Sequence, residues 1–149
     1  MPVVRQATRE DVSAIVNFQK KMAKETEHLE LNGKIVEEGV NAVFTDKSRG
    51  KYFIAEDNYK IIASLLITYE WSDWRNSNIW WIQSVYVIPE YRRKGIFREM
   101  YTFIKALGEK QDIAGLRLYV ETNNTQAKMT YEALGMNSGH YSFYEWMRK

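Results

Sequence analysis

Apolar residues recur along the chain at two spacings, and the three- to four-residue spacing predicts four helices. In the first helix, Thr8 with Asp11 three residues later forms a start signal, and the periodic apolar positions continue to about Ala23. The last helix is closed by Gly135, a residue type that commonly follows a helix end. The predicted helices cover residues 8–23, residues 35–44, a segment that begins at residue 96, and residues 125–134.

Alternating and continuous apolar runs predict six strands. The segment LRLYVE alternates apolar and polar residues, whereas IIASLLITYEW is apolar enough for the centre of a sheet. Pro89 ends the strand that follows, because proline has no N–H group to donate to a sheet. The order β-α-α-β-β-β-α-β-α-β predicts one domain over residues 1–149, of the mixed α/β (α+β) class with a largely antiparallel first half. The strands cover residues 3–6, 51–57, 61–71, 78–88, 116–121 and 141–147.

Composition narrows the classes of function. The chain has 149 residues, a net charge of +2 and no cysteine, which excludes disulfides, thiolate metal sites and a cysteine nucleophile. Its two histidines lie far apart in sequence, so no metal site is expected. The low net charge argues against nucleic-acid binding, and no apolar run approaches the ~20 residues of a membrane span. The polar N-terminus lacks the pattern of a signal peptide, so a soluble cytoplasmic protein is expected.

Three cationic residues, Arg92, Arg93 and Lys94, lie where a helix is about to begin. A helix N-terminus already carries partial positive charge, so each cation there costs a few tenths to about 1 kcal/mol. Gly95 lets the backbone approach a bulky anion closely, and the combination predicts a phosphate or pyrophosphate site. The Lys-Gly order and the lack of spaced glycines exclude a P-loop and a dinucleotide fingerprint. The alternative is a solvated basic turn that binds nothing.

Two motifs resemble those of the GCN5-related N-acetyltransferase (GNAT) superfamily. VYVIPEYRRKGI, residues 85–96, resembles its acetyl-CoA-binding strand and Arg/Gln-x-x-Gly-x-Gly/Ala loop, although Phe97 stands in place of the last small residue. NTQAKMTYEALGM, residues 124–136, resembles its Asn-x-x-Ala-x-x-x-Tyr-x-x-x-Gly-Phe segment, with Met136 in place of phenylalanine. The resemblance covers nearly the whole chain. It implies a mixed, mostly antiparallel sheet of six to seven strands flanked by about four helices, with a splayed strand pair at the cofactor site.

The resemblance implies a donor site for acetyl-CoA. Main-chain groups of Val85 and Val87 would bind the pantetheine arm and the acetyl carbonyl, and N–H groups from Arg93 to Phe97 would hold the pyrophosphate. Asn124 would contact the cofactor, cap the last helix, or do both. The implied cofactor-binding residues are Val85, Tyr86, Val87, Arg92, Arg93, Lys94, Gly95, Ile96, Phe97, Arg98, Asn124, Ala127 and Tyr131.

The resemblance also assigns the general acid to Tyr131, whose phenol would protonate the departing thiolate. The alternative for Tyr131 is a helix tyrosine that packs on the sheet. The resemblance carries over no single position for the base. Glu70 and Glu121 are the candidates, and the alternative for each is an ordinary solvated carboxylate.

The acidic stretch KETEHLELN suggests an acceptor that is cationic before reaction. Glu25 and Glu27 would attract it, and Trp71 and Trp74 would form an apolar or cation–π wall beside it. The alternative is a solvated run of charges together with aromatic residues of the core.

Together these features predict an N-acetyltransferase that moves the acetyl group of acetyl-CoA to a primary amine of a small-molecule or peptide acceptor. Direct attack in a ternary complex is expected, since no cysteine is present to form an acyl-enzyme. Two alternatives stay open: a non-catalytic acyl-CoA-binding regulatory domain of the same fold, and an RNA- or phosphate-binding module built on the basic turn. The aromatic C-terminal segment also leaves a homodimer open.

Overall fold

The computed structural model describes residues 2–149, which form two compact units. The first unit ends at Leu118 and the second spans Tyr119–Lys149. The first unit contains β1 (Val3–Gln6), α1 (Val12–Glu27), α2 (Gly33–Thr45), β2 (Lys51–Asp57), β3 (Lys60–Ser72), β4 (Ser77–Val87), α3 (Ile96–Lys110) and β5 (Gly115–Arg117). The second unit contains α4 (Thr125–Ala133).

The first unit is built on a sheet with the strand order β1-β2-β3-β4-β5. The first three pairings are antiparallel, and only β4 with β5 is parallel. Four helices and a mixed, mostly antiparallel sheet are therefore confirmed.

The number of strands was predicted wrongly: the described residues form five strands rather than six to seven. Residues 141–147, predicted as the closing strand, have no regular secondary structure. Tyr144 and Trp146 of that segment are 93% and 84% exposed. A segment rich in aromatic residues forms a strand only where a neighbouring strand supplies hydrogen bonds, and sequence alone does not show that partner. The predicted strand 116–121 is likewise shortened to Gly115–Arg117.

Helices cover both faces of the sheet in the first unit. Phe53 of β2 packs edge-on against Phe103 of α3, with ring centroids 6.0 Å apart. The next residue, Ile54, points to the opposite face and joins an apolar cluster with Ile15 of α1 and Val40 of α2. Phe53, Ile54 and Ile15 are fully buried. The core thus lies between the sheet and α1 and α2 on one side, and between the sheet and α3 on the other.

Local signals explain where the helices begin and end. The side chain of Asn32 accepts a hydrogen bond from the N–H of Ile35, so α2 begins at Gly33, before the predicted residue 35. Helix α1 continues past residue 23 to Glu27, where His28 adopts a left-handed conformation. That last turn is polar and exposed, and therefore carries no apolar periodicity from which its length could be predicted.

Candidate active site

Strand β4 contains a bulge near its end. Ser64 of β3 lies opposite Tyr86, but Leu66 lies opposite Gln83, so residues 84 and 85 of β4 share one position of β3. Ser84 has a φ of +52°, which few residues other than glycine adopt. Such a bulge turns neighbouring main-chain groups out of the regular ladder.

The same end of β4 has no partner on its other side among the described strands. Strand β5 pairs only with the segment from Ile79 to Trp81, while β4 continues to Val87. Beyond Trp81, the main-chain groups on that side of β4 therefore have no strand partner within the first unit.

The basic turn leads from β4 into α3 through two left-handed residues. Arg93 has a φ of +63° and Gly95 a φ of +77°. The first backbone hydrogen bond of α3 joins the N–H of Glu99 to the carbonyl oxygen of Gly95 at 3.1 Å, so the first-turn N–H groups have no intrahelical acceptor. A Cβ atom added to Gly95 would meet nothing within 4 Å. The turn thus offers helix N–H groups, cationic side chains and open space, which together suit a phosphate group.

A cavity of about 300 Å³ lies between the end of α1 and the end of β4. The guanidinium of Arg92 donates to the Glu25 carboxylate at 2.8 Å, and the Tyr86 hydroxyl donates to its second oxygen at 2.6 Å. Arg92 also donates through Nε to the carbonyl oxygen of Val87 at 2.8 Å. The cavity is lined by Met22, Glu25, Thr26, Val85, Tyr86, Val87 and Arg92.

These contacts fix the charge state of the cavity wall. The hydrogen bond from Tyr86, followed by that from Arg92, lowers the pKa of Glu25. Burial, followed by the hydrogen bond to Glu25, raises the pKa of Tyr86 to about 12. At neutral pH the wall therefore holds an ionised carboxylate, a neutral phenol and a guanidinium. The sequence predicts a role for each of these residues but not their contact. Tyr86 and Arg92 lie 61 and 67 residues from Glu25, so no local pattern joins them.

Glu70 lies elsewhere on the sheet, in a second ion pair. Its carboxylate accepts two hydrogen bonds from Arg117, at 2.9 and 3.0 Å, and one from the indole N–H of Trp81 at 2.7 Å. Despite some burial, the Trp81 bond and then the Arg117 pair lower the pKa of Glu70. At about 3.3 Å per residue, Glu70 is roughly 17 Å along β3 from Leu65, which faces the bulge. The structure does not bring this candidate base to the bulge.

The other residues predicted to bind the acceptor substrate lie outside the cavity lining. Trp71 and Trp74 lie at the tip of the β3–β4 hairpin and are 60% and 89% exposed. Glu27 is the last residue of α1 and is exposed. Of the four predicted substrate-binding residues, the structure places only Glu25 in the cavity wall.

The second unit holds Tyr131 and its motif on α4. The side chain of Asn124 accepts a hydrogen bond from the N–H of Ala127 at 3.0 Å, which caps the helix. At the other end, Met136 donates its N–H to the carbonyl oxygen of Tyr131, and Gly135, with a φ of +93°, closes the helix. Burial raises the pKa of Tyr131, so its phenol stays protonated at neutral pH. Glu121 precedes this helix and is exposed.

Within residues 2–149, no group of three or more His, Cys, Asp and Glu side chains is placed to hold a metal ion. No helix in the same part of the chain combines the length and the hydropathy needed to cross a membrane.

The mixed sheet, the basic turn and the two motifs are features of one class of acyltransferase. Comparison with known proteins identifies the family within that class. The model of the acetyltransferase (GNAT) family matches residues 14–136, which include the basic turn and α4. The chain belongs to the acetyltransferase (GNAT) family. A search of curated proteins gave no match.

One solved structure supports the same assignment, and two others share the fold. A structure described as "a possible acetyltransferase from Clostridium difficile 630" is 45% identical, with a TM-score of 0.91, and the match covers 100% of this chain and 99% of that one. A "predicted acetyltransferase with acetyl-CoA from Clostridium acetobutylicum" is 21% identical, with a TM-score of 0.74 and coverage of 100% and 96%. AAC(6')-Iy, solved with the bisubstrate analog CoA-S-monomethyl-acetylneamine, is 13% identical, with a TM-score of 0.81 and coverage of 100% and 99%. The last two likenesses concern the fold alone.

Proposed function

We propose that this protein is an N-acetyltransferase that transfers the acetyl group of acetyl-CoA to a primary amine of a small-molecule or peptide acceptor. The observation that carries the proposal is the succession of a bulged strand, a basic turn and an open helix start in a GNAT-family chain. Two proteins of similar fold were solved with acetyl-CoA or with a CoA-linked acceptor analog. The family model runs through both units, which supports their acting as one acetyltransferase domain.

The residues of the basic turn fit the coenzyme. The left-handed conformation of Gly95 and the open space beside it leave room for a pyrophosphate at the first-turn N–H groups of α3. Phe97 replaces a small residue of the motif, but it is half-buried and its ring packs against Tyr101 of the same helix. Arg93 and Lys94 are exposed and add charge to the turn. Val85 and Val87 would offer main-chain groups to the pantetheine arm.

Direct transfer needs a neutral amine, stabilisation of the oxyanion and a proton for the leaving sulfur. Acetyl-CoA, when bound, supplies the activated acyl thioester. Main-chain groups of Val85 and Val87 would orient its carbonyl for attack by the amine nitrogen. Tyr131, kept neutral by its raised pKa, would donate its proton to the departing sulfur as the carbon–sulfur bond breaks.

Two carboxylates, Glu70 and Glu121, are the candidates for the base that accepts the proton of the amine. Glu70 is held by Arg117 and Trp81 and is a weaker base than an ordinary glutamate. Glu121 is exposed near the motif of α4. We therefore favour Glu121: Glu121→Gln should lower kcat, whereas Glu70→Gln should act mainly through stability.

The proposal is tested in two steps. Isothermal titration with acetyl-CoA should show micromolar binding to the wild-type protein. A thiol-release assay over a panel of primary amines should then identify turnover. Absence of coenzyme binding by the folded protein would contradict the donor site. Binding without turnover of any amine would favour the alternative, a non-catalytic acyl-CoA-binding domain.

A further inference from the structure

We propose that Glu25 is the carboxylate that binds the ammonium group of a cationic acceptor. In the free protein its carboxylate is ion-paired with Arg92, and the pair breaks when the Arg92 guanidinium binds the coenzyme phosphates instead. The inference rests on the proposed function, because it needs a phosphate-bearing donor at the basic turn. It adds the class of acceptor, an alkylammonium compound, and a physical link between the two substrate sites.

The cavity wall has the composition of an ammonium site. One carboxylate, that of Glu25, faces a lining whose other side chains include Met22, Val85 and Val87, which are apolar, and the ring of Tyr86. The Arg92 guanidinium lies 5.3 Å from the centre of that ring, so an aromatic face and a carboxylate already act together on one cation. An alkylammonium group presents the same combination of positive charge and apolar stem. The guanidinium thus stands where the acceptor cation would bind.

The charges of the cavity allow only one cation at a time. While Arg92 is paired with Glu25, the carboxylate is already neutralised, and a second cation would gain little from it. Tyr86 stays neutral, since its pKa is raised to about 12. When Arg92 leaves, the negative charge of Glu25 lies beside two apolar valines of β4 and is offset only by the Coulombic attraction of Lys21.

Arg92 is weakly enough held to change partners. Its side chain is 44% exposed and that of Glu25 is 40% exposed. Ion pairs this open to water contribute little to stability, because solvent screens them. Arg92 is also the first residue of the basic turn, so its guanidinium can reach either α1 or an anion at the turn by rotation of its own side chain. The pyrophosphate is the stronger partner, since its two phosphates together carry two negative charges against the one of a carboxylate.

Shared use of one guanidinium couples the two sites. Coenzyme binding must break the pair with Glu25, so that pair opposes the coenzyme. By linkage, an ammonium group that takes over Glu25 favours coenzyme binding to the same extent as the coenzyme favours the ammonium group.

The test is a double-mutant cycle on coenzyme affinity, measured by titration calorimetry with CoA. Glu25→Gln should bind CoA about two- to fivefold more tightly than the wild type, which is the range expected from an exposed ion pair. Glu25→Gln in an Arg92→Ala background should give no such gain. A tightening that persists without Arg92 would reflect only the lost negative charge, and it would overturn the inference. An unchanged affinity of Glu25→Gln would overturn it as well.

Glu38→Gln provides the matched control. Glu38 lies on the exposed surface of α2, outside the cavity lining, and its replacement removes the same charge from the chain. We expect its CoA affinity to equal that of the wild type. Thermal unfolding of every variant confirms that the protein is folded.

The acceptor half is tested with 1,4-diaminobutane as the probe. The wild-type protein should bind the diamine at least twofold more tightly in saturating CoA than without it, and Glu25→Gln should lose this difference. Equal affinity with and without CoA, or no binding at all, would overturn the ammonium site. If the wild-type protein does not bind CoA, that result would instead contradict the proposed function. Failure of the ammonium site and failure of the proposed function are therefore distinguishable.

Discussion

Replacement of Gly95 separates the backbone requirement of the basic turn from its electrostatic role. With φ at +77°, any other residue is strained there, at about 1–2 kcal/mol for an ordinary L-residue. No further steric cost is expected, because an added Cβ would meet nothing within 4 Å. Gly95→Gln should therefore lose about 1–2 kcal/mol, within the stability reserve of a typical domain. Gly95→Glu should lose up to about 1 kcal/mol less, because a carboxylate is favoured at the N-terminus of α3. Gly50→Ala is a contrast, since its Cβ would lie 2.3 Å from the carbonyl oxygen of Ile67.

Coenzyme binding should divide the two Gly95 variants. Glutamine and glutamate have nearly the same shape, so their difference isolates one negative charge. At about 6 Å and an effective dielectric constant of about 40, two unit charges interact by about 1.4 kcal/mol. One carboxylate facing one phosphate charge then weakens binding about tenfold, and a second phosphate charge adds to this.

The assay combines chemical denaturation with titration of CoA. We expect Gly95→Glu to unfold at the same or a slightly higher denaturant concentration than Gly95→Gln, and yet to have a CoA dissociation constant at least about tenfold higher. The gap should narrow as salt is added, because exposed charges are screened. Equal CoA affinity of the two variants at low salt would refute the placement of the phosphates at this turn.

Three further predictions concern Tyr131, Asp11 and Ser64. Tyr131→Phe should lower kcat about 100-fold or more and leave the KM for acetyl-CoA within twofold, and an unchanged kcat would remove the phenol from the mechanism. Asp11→Asn should cost about 2–3 kcal/mol, less than for a fully buried pair, because Arg5 is partly exposed and keeps Glu56. Burial alone would raise the pKa of Asp11, but the hydrogen bonds from Arg5 and the Thr8 N–H lower it overall. The stabilisation by the ionised Asp11 is therefore present above about pH 4 and is lost as the pH falls through the folded-state pKa. Urea melts at pH 3 and pH 7 should accordingly show a smaller loss of stability for Asp11→Asn at the lower pH. Ser64→Ala should be neutral or stabilising in thermal melts, because the buried Oγ has no hydrogen-bond partner among the described residues, and a loss above 1 kcal/mol would contradict this.

Elements with local signals could be predicted from the sequence. The cap at Asn124 and the glycine at residue 135 bracket α4, which the structure places at Thr125–Ala133. Helix α3 begins at Ile96, as its apolar face predicts. In both cases the information lies within a few residues of the boundary, so no knowledge of distant contacts is needed.

Features that depend on distant partners could not be predicted. The segment 141–147 is rich in the aromatic residues that strands favour, but pairing decides whether a strand forms, and a pairing partner is a property of the folded chain. The bulge in β4 depends on the register against β3, which only the folded sheet defines. Composition pointed to Glu25 and to Arg92 for separate reasons, and only the fold brings the two charges to 2.8 Å.

The ion pairing of Glu25 and Glu70 limits the role that each carboxylate can have in catalysis. Glu25 and Glu70 are both ion-paired with arginine, through Arg92 and Arg117, and both pKa values are lowered. A carboxylate with a lowered pKa holds an ammonium group well but removes its proton poorly, because efficient proton transfer needs a base whose pKa lies near the working pH. These two residues therefore suit recognition and stability rather than base catalysis. Deprotonation of the acceptor must then depend on another group or on an amine that arrives neutral, and in the second case kcat/KM should rise with pH up to the pKa of the amine itself.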